Sequence, residues 1–299
     1  ATEIQNVMYK QYNELPTSSR LTDNLVSWWS LESTGTPISF ADSHGSNTGT
    51  NSGAIANNDL YGGDTPVKPR AIDNAPTVQA DAIGTGSALL NGDTDYISIA
   101  DDSTLDITTD ITISCWVKVS SFDTDYDGLV TKDDNGGVGY ALYIDKGAST
   151  STGTAKFAPR RYDGQLAISG SLNINTWYHI VGTHESGSVD ENKIYINGVL
   201  ADTTADTTSM AANSNDLQIG KQFEEGNYNL NGNICQVGIW DAALTQAQIQ
   251  SIMEKTYAEL IASEKEDLVS WYPLDAVANL AAGSGNVKDS HGSNHGTLA

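Results

Sequence analysis

The two ends of this 299-residue chain carry the same motifs in the same order. Each end has an amphipathic run, a Leu-Val-Ser-Trp tetrapeptide and the hexapeptide Asp-Ser-His-Gly-Ser-Asn. The offsets between copies are 249 − 4 = 245, 268 − 25 = 243 and 289 − 42 = 247, a drift that small loop insertions explain. Self-similarity at a fixed period is typical of a tandem array. The motifs begin at Ile4, Leu25 and Asp42, and again at Ile249, Leu268 and Asp289.

The repeat predicts three segments along the chain. Residues 1–16 would be the terminal helix of a preceding repeat, and residues 25–262 a complete sandwich with its capping helix. Residues 268–299 would be the start of a following repeat. Because an incomplete sandwich exposes strand edges, which are a liability unless covered, we expect Leu268–Tyr272 to pair with a neighbouring chain or with residues beyond this sequence.

The charge balance excludes several classes of partner. The chain has 38 acidic and 15 basic residues, which gives a net charge of −23. Binding phosphates requires a basic face, so neither nucleic acid nor an anionic membrane surface is expected as a partner. No apolar run of about 18 residues is present, so no membrane insertion is expected.

Between the repeated ends, the hydrophobic pattern indicates short strands. Runs such as Ile111–Val119 and Trp177–Thr183 are bounded by Asp, Ser and Gly turns. Asn197-Gly198 predicts a hairpin, because a type I′ turn needs positive φ at both central residues. This pattern predicts an all-β, two-sheet antiparallel jelly-roll sandwich. Further strands are predicted at Leu25–Leu31, Ala88–Leu90, Tyr96–Ala100, Leu129–Thr131, Val138–Ile144, Lys193–Ile196, Val199–Ala201, Leu217–Gly220 and Ile234–Trp240.

A short capping helix is predicted over residues 245–261. Thr245 and Gln248 have the spacing of a capping box, in which each side chain hydrogen-bonds the backbone of the other residue. Residues 41–87 read as a long loop with one strand around Thr77–Gln79. Cys115 and Cys235 each stand among core-parity residues of a strand, so the sequence allows two buried free thiols or a cross-strand disulfide.

Seven segments, in this order, resemble the laminin-G-like domains of the concanavalin-A-like jelly-roll group, to which pentraxins are related. The resemblance covers about residues 25–260 and implies two sheets packed face to face, with binding sites on rim loops or a concave face. Members are mostly recognition modules for glycans or proteins, often with calcium, although a fold alone does not establish function. The segments are Leu25–Trp29, Asp42–Asn47, Asp95–Ile99, Asp110–Lys118, Trp177–Thr183, Lys193–Gly198 and Asn231–Trp240.

The sequence departs from this family pattern at two places. Cys235 stands where many members carry an acidic residue, so an organising carboxylate contact is in doubt there. The strand that begins at Trp177 has no cysteine, whereas pentraxins place one partner of their disulfide on it. The resemblance is therefore to a laminin-G-like unit and not to a true pentraxin.

Calcium is the expected cofactor, since it prefers carboxylate, amide and backbone carbonyl oxygens. The resemblance implies that Asp134 and Asn135 occupy the loop where pentraxins place an Asp-Asn calcium pair. Glu224 and Glu225 resemble the second pentraxin ligand loop. The simpler alternative for all four is that they are solvated carboxylates and amides in turns.

The repeated hexapeptide supplies a third candidate metal cluster. Asp42 and Asn47 could bind calcium together with backbone carbonyls of the Gly-containing turn. Asp42 could equally cap the turn by hydrogen-bonding its own backbone. Recurrence of the motif at Asp289 fits either interpretation.

Aromatic side chains in predicted loops could stack on the apolar faces of sugar rings. Arg160 and Arg161 form the only adjacent arginine pair and could bind an anionic sugar or a neighbouring acidic unit, or simply lie at the surface near Asp residues. Trp28, Trp116, Trp177 and Trp240 are expected in the core instead. The candidate ligand-binding residues are Tyr126, Arg160, Arg161, Tyr162, Phe223 and Tyr228.

No catalytic residue is predicted, although the same jelly roll hosts glycosidases. A retaining glycosidase needs two carboxylates about 5 Å apart, and the run E-x-D-x-x-E that would place them is absent. The sequence also lacks H-E-x-x-H and G-x-S-x-G. We therefore expect a non-enzyme.

These observations favour an extracellular structural and adhesive repeat that binds glycans. It would belong to a fibre or filament on a cell or virion, with copies of itself or adjacent repeats as partners, and linked weak sites would gain avidity. Two alternatives stay open: a purely structural stacking repeat with no ligand, and a polysaccharide-degrading glycosidase.

Overall fold

A computed structural model describes the chain as two units, residues 1–68 and residues 69–299. In the first unit, β1 (Ser39–Phe40) pairs antiparallel with β2 (Gly49–Thr50). The strand predicted at Thr77–Gln79 and the helix predicted in residues 1–16 lie outside the described residues, as does all of Leu25–Leu31 except Ser27. The described residues are 27, 39–40, 46, 49–50, 83–84, 86–122, 125–134, 138–158, 166–188, 192–205, 210–222, 228–275 and 287–298.

The second unit is an all-β sandwich of two antiparallel sheets with seven strands each, as predicted. Its strands are β3 (Ala88–Asn91), β4 (Ile97–Ile99), β5 (Ile111–Ser121), β6 (Tyr126–Asp133), β7 (Gly139–Asp145), β8 (Thr152–Ala158), β9 (Ala167–Asn173), β10 (Tyr178–His184), β11 (Asn192–Ile196), β12 (Val199–Thr204), β13 (Leu217–Ile219), β14 (Asn231–Trp240), β15 (Leu268–Tyr272) and β16 (Gly296–Leu298). The first sheet has the order β12-β11-β10-β5-β14-β15, and β3 also pairs with β14. The second sheet has the order β16-β4-β13-β6-β7-β8-β9.

The hydrophobic core lies between the two sheets, where inward-facing residues of both meet. Ile113 and Val237 of the first sheet and Leu142 of the second belong to one buried cluster. Cys115 and Cys235 are both buried free thiols, which decides between the two alternatives for this pair. Burial raises the pKa of the Cys115 thiol, because the apolar surroundings disfavour the thiolate.

A second apolar cluster joins the first sheet to the predicted capping helix, α1 (Gln246–Ile252). The Thr245–Gln248 capping box is present, and Ile249 and Ile252 pack with Trp240 and Trp271. The helix covers part of the outer face of the sheet, which explains why β5 is buried along a continuous run rather than at alternate positions. Among the described residues, no helix is long and apolar enough to cross a membrane.

The predicted Asn-Gly hairpin is present between β11 and β12. Asn197 has φ 50° and Gly198 has φ 74°, the positive values that a two-residue type I′ turn requires. Val199 directly follows the turn and pairs with Ile196. The hairpin therefore fixes the register of this sheet edge as the sequence predicts.

The C-terminal segment completes this sandwich, which corrects the expectation for Leu268–Tyr272. Strand β15 pairs with β14 in the same chain, and β16 pairs with β4 of the second sheet. One segment therefore adds an edge strand to each sheet. We call residues 268–298 the closing segment. The division of the chain into repeats stays a prediction.

Candidate functional site

A groove of about 540 Å³ lies at the sandwich rim, where the closing segment meets the loop before β5. Three parts of the chain line it: the 103–109 loop, Asp241 after β14, and the closing segment. This volume is in the range of small-ligand sites. We call it the rim groove, and its lining residues are Ser103, Thr104, Asp106, Ile107, Thr108, Thr109, Asp241, Leu268, Val269, His291, Gly292, Ser293 and Asn294.

The carboxylate of Asp289 organises the wall that the closing segment contributes. Its Oδ1 accepts hydrogen bonds from the backbone N–H groups of Trp271 at 2.9 Å and His291 at 3.0 Å. Its Oδ2 accepts a third from the N–H of Asn294 at 3.2 Å. Because the carboxylate satisfies three buried or half-buried donors, it holds the repeated hexapeptide in one loop conformation.

Asn294 connects this loop to the rest of the rim. Its Nδ2 donates to Ser270 Oγ at 2.9 Å and to Thr104 Oγ1 at 3.0 Å. Tyr272 donates its hydroxyl to the Asn294 carbonyl at 2.7 Å. These bonds tie β15 and the 103–109 loop to the same asparagine, so two walls of the rim groove are held at a fixed separation.

The electrostatics of the rim groove suit a neutral polar ligand. Asp106 and Asp241 place carboxylates in its lining, and none of the described lining residues is Lys or Arg. Lys132 lies behind the groove, where its ammonium bonds Asp101 at 2.8 Å and Asp106 at 3.0 Å. The hydroxyl, amide and carboxylate groups can donate to and accept from a polyhydroxylated ligand.

An aromatic pair stands at one end of the rim groove. The rings of Tyr257 and the groove residue His291 are 6.0 Å apart, and the tyrosine oxygen lies 3.3 Å from His291 Nδ1. Lys265 Nζ lies 4.2 Å from the centre of the Tyr257 ring, on its face. Lys265 orients the Tyr257 ring through this cation–π contact. The oriented tyrosine then packs against the exposed His291.

The structure brings two of the predicted ligand-binding residues together. The half-buried rings of Tyr126 and Tyr228 are 5.5 Å apart, and Tyr143 packs 5.9 Å from Tyr126. Neither tyrosine lines the rim groove. The other predicted ligand residues, Arg160, Arg161, Tyr162 and Phe223, lie outside the described residues.

The calcium prediction is not tested by the described part of the chain. Asp134 Oδ1 accepts a 2.7 Å bond from the Val138 N–H, so it closes its own loop. No group of three or more His, Cys, Asp or Glu in the described ranges could hold a metal ion. The remaining predicted ligands, Asn135, Glu224, Glu225, Asp42 and Asn47, lie outside those ranges.

A buried serine–histidine pair lies within the first sheet. Ser114 Oγ is 2.8 Å from His179 Nε2, and both residues are almost fully buried beside the Trp116 ring. Burial lowers the pKa of His179 to about 3, because the apolar surroundings disfavour the charged ring. No substrate can reach this pair without unfolding the sheet, so it is a packing feature.

The sequence did not predict the rim groove. Its Ser and Thr residues come from segments more than 150 positions apart and follow no spacing pattern. The repeated hexapeptide is the one available signal, and its sequence allows either a metal loop or a turn capped by its aspartate. In its second copy, Asp289 instead organises the loop, as the turn-capping alternative for Asp42 describes.

Comparison with known families decides the classification. Residues 91–250 match the family model Laminin_G_3, described as the concanavalin A-like lectin/glucanases superfamily. The chain belongs to this superfamily. The match covers β4 to β14 and most of α1, and it contains five of the seven segments on which the laminin-G-like resemblance rests. No curated protein matches the chain.

One solved structure shares this sandwich fold, and others match it more weakly. A candidate carbohydrate-binding protein from Bacteroides ovatus has a TM-score of 0.57 at 21% identity, with 72% of this chain aligned to 58% of that one. The heptameric SAP-like pentraxin of Limulus polyphemus gives 0.40 at 14% identity, over 55% and 83%. Domain 4 of AbnA, an extracellular GH43 arabinanase from Geobacillus stearothermophilus, solved with arabinotriose, gives 0.43 at 17%, over 56% and 76%.

Proposed function

We propose that this laminin-G-like sandwich is a non-enzymatic module that binds a neutral oligosaccharide in the rim groove. The observation that carries the proposal is the polar lining of that 540 Å³ groove, in which hydroxyls, an amide and two carboxylates converge. Sugar hydroxyls act as donors and acceptors at once, so they match such a lining better than an apolar ligand does. Membership of a lectin-containing superfamily supports the same ligand class.

The lining does not favour catalysis. A glycosidase needs a proton-donating carboxyl group paired with a second carboxylate across the scissile bond. In the rim groove, the Asp106 carboxylate already forms a 3.0 Å ion pair with Lys132, so it is engaged within the protein.

The wider role that we propose is extracellular, as a structural and adhesive repeat in a fibre or filament on a cell or virion. The repeated ends and the net charge of −23 support it, since both suit an exposed tandem array. Linked copies would raise the avidity of a weak glycan site. Calcium bound by Asp134, Asn135, Glu224, Glu225, Asp42 and Asn47 is part of this proposal.

The test is an oligosaccharide array followed by calorimetric titration of the ligands found, with calcium and with EDTA. The double variant Asp241→Asn with His291→Ala should lose about tenfold or more in affinity, because two groove contacts are removed. Asp125→Asn is the matched control, since its side chain is 76% exposed and does not line the groove. Absence of binding in both buffers would contradict the proposal and favour a structural stacking repeat. Release of reducing ends from polysaccharides would contradict the non-enzymatic part.

A further inference from the structure

One stretch of chain covers a strand edge in each sheet of the sandwich. The two covered edges are the outer edge of β14 from Val237 to Trp240 and the outer edge of β4. The closing segment occupies both edges, with Val237 opposite Tyr272 and Ser98 opposite Thr297. We call these two edges the edge slot.

The residues with which the closing segment fills the edge slot recur near the other end of the chain. Seven positions that are buried or bonded in the closing segment are identical in residues 25–50, which we call the N-terminal copy. The positions that agree are Leu268, Ser270, Trp271, Leu274, Asp289, Asn294 and Gly296, which correspond to Leu25, Ser27, Trp28, Leu31, Asp42, Asn47 and Gly49.

The backbone supports this equivalence independently of residue identity. Val287 and Gly296 form an antiparallel bridge across the base of the hexapeptide loop. Phe40 and Gly49 form the same antiparallel pair in the first unit, and 40 + 247 = 287 and 49 + 247 = 296. The two hexapeptide loops therefore close at the same positions.

One edge slot holds only one such segment, because each edge offers a single row of backbone donors and acceptors. In this sandwich the closing segment holds both rows. The order along the chain also separates the two copies. The closing segment follows α1 of its own sandwich, and the N-terminal copy follows the run that begins at Ile4 and repeats the α1 sequence.

We propose that the N-terminal copy binds the edge slot of a second copy of this sandwich whose own closing segment is displaced. It binds in the register of the closing segment, with Thr50 opposite Ser98. The partner is a β-sandwich edge, and recognition comes from main-chain hydrogen bonds and from Trp28 in the place of the buried Trp271. Units of this kind are then joined by strand exchange between molecules.

Binding in this way also rebuilds the rim groove across two molecules. The closing segment contributes Val269, His291, Gly292, Ser293 and Asn294 to the groove. The N-terminal copy has the same five residue types at the equivalent positions, 26 and 44–47. The incoming segment therefore completes a site that the second sandwich lacks without it.

One difference between the copies limits the strength of the exchange. In the closing segment, Tyr272 is fully buried and donates its hydroxyl to the Asn294 carbonyl. In the N-terminal copy, the equivalent residue is Trp29. A tryptophan there adds volume to a packed position and has no hydroxyl to donate to the carbonyl. The closing segment therefore outcompetes the N-terminal copy for an intact slot.

The test is disulfide trapping between two full-length chains. The recipient carries Ser98→Cys, with Trp271→Ala and Asp289→Ala to loosen its closing segment. Its own N-terminal copy is disabled by Trp28→Ala and Asp42→Ala. The donor carries Thr50→Cys alone, and Cys115 and Cys235 stay in both chains because they are buried. Residues opposite each other in an antiparallel pair are close enough for a disulfide.

After oxidation, non-reducing electrophoresis should show a recipient–donor heterodimer. The matched donor adds Trp28→Ala and Asp42→Ala to Thr50→Cys, and its heterodimer yield should fall by about tenfold or more, because truncating one buried tryptophan already weakens binding by that factor. If circular dichroism shows that the recipient with both Trp271→Ala and Asp289→Ala does not fold, it is replaced by a recipient that has only Asp289→Ala in its closing segment. Equal yields from both donors, or no heterodimer from either, would overturn the proposal.

Discussion

Asp289 Oδ1 accepts a 2.9 Å hydrogen bond from the backbone N–H of Trp271, across 18 positions of the sequence. This bond links the loop that walls the rim groove to the strand that closes the first sheet. It makes the groove and the closure of the sandwich parts of one structure. The second copy of the hexapeptide therefore stabilises the fold as well as forming part of the groove wall.

Replacing Asp289 by Ala should lower the free energy of unfolding by about 3 kcal/mol. The substitution leaves the N–H groups of Trp271, His291 and Asn294 without their charged acceptor. Urea denaturation measures the change. Lys288→Ala is the matched control at the neighbouring exposed position and should stay within about 0.5 kcal/mol. Equal effects of the two substitutions would contradict the role given to Asp289.

Lys132→Met should also destabilise the sandwich, by about 3 kcal/mol. The buried ammonium of Lys132 bonds Asp101, Asp106 and the Asn213 carbonyl, so its removal leaves two adjacent carboxylates without their counter-ion. Lys146→Met is the control, because its partner Asp125 is largely exposed at 3.7 Å and such pairs contribute little. Thermal denaturation of the two variants should separate them, and a stable Lys132→Met protein would show that the buried ion pair is dispensable.

Gly238→Ala should be strongly destabilising because of close packing by two tryptophans. A Cβ at this position would lie 2.6 Å from ring atoms of Trp240 and 2.9 Å from a ring atom of Trp271. The rings form a T-shaped pair 5.9 Å apart and cannot both move away, so we expect a loss of about 3 kcal/mol. Gly170→Ala is the control, since no atom lies within 4 Å of the added carbon. A tolerated Gly238→Ala would mean that the tryptophan pair is not tightly packed.

The buried His179 should make stability depend on pH in a defined range. Burial lowers its pKa from 6.5 to about 3, so between these values the unfolded chain binds one more proton than the folded chain. Stability therefore increases with pH across this range and is lost as pH falls, by up to about 1.4 kcal/mol per pH unit. His179→Gln removes this contribution, while the carboxylates of the protein titrate as before. The comparison is made between about pH 4 and pH 6, inside the interval between the two pKa values of His179. Parallel stability–pH curves for the two proteins in this range would contradict the predicted contribution of His179.

The local sequence predicted those strands that are rich in residues with high strand propensity. The runs that form β5 and β10 are rich in Ile, Val, Thr and aromatic residues, and the Asn197-Gly198 turn fixed one hairpin. Strands β8 and β9 were missed, since Thr-Gly-Thr-Ala-Lys-Phe-Ala and Ala-Ile-Ser-Gly-Ser-Leu-Asn are rich in residues with low strand propensity. They form because they pair with β7 and with each other, which is a tertiary effect.

The partner of a repeated strand could not be predicted from its sequence. Leu268–Tyr272 has the same residues whether it opens one sandwich or closes another, because edge pairing uses backbone groups that every residue has. Only the non-local register with Val237–Trp240 decides between them. The rim groove depends on that choice, so it could not be predicted either.

The most direct test of this account is native-state hydrogen exchange of the Leu268–Tyr272 amides in the intact chain. If the closing segment completes its own sandwich, the hydrogen-bonded amides of β15 should be protected to nearly the same free energy as those of β14 in dilute protein. Exchange of the β15 amides at the rate of an unfolded chain, while those of β14 remain protected, would contradict it.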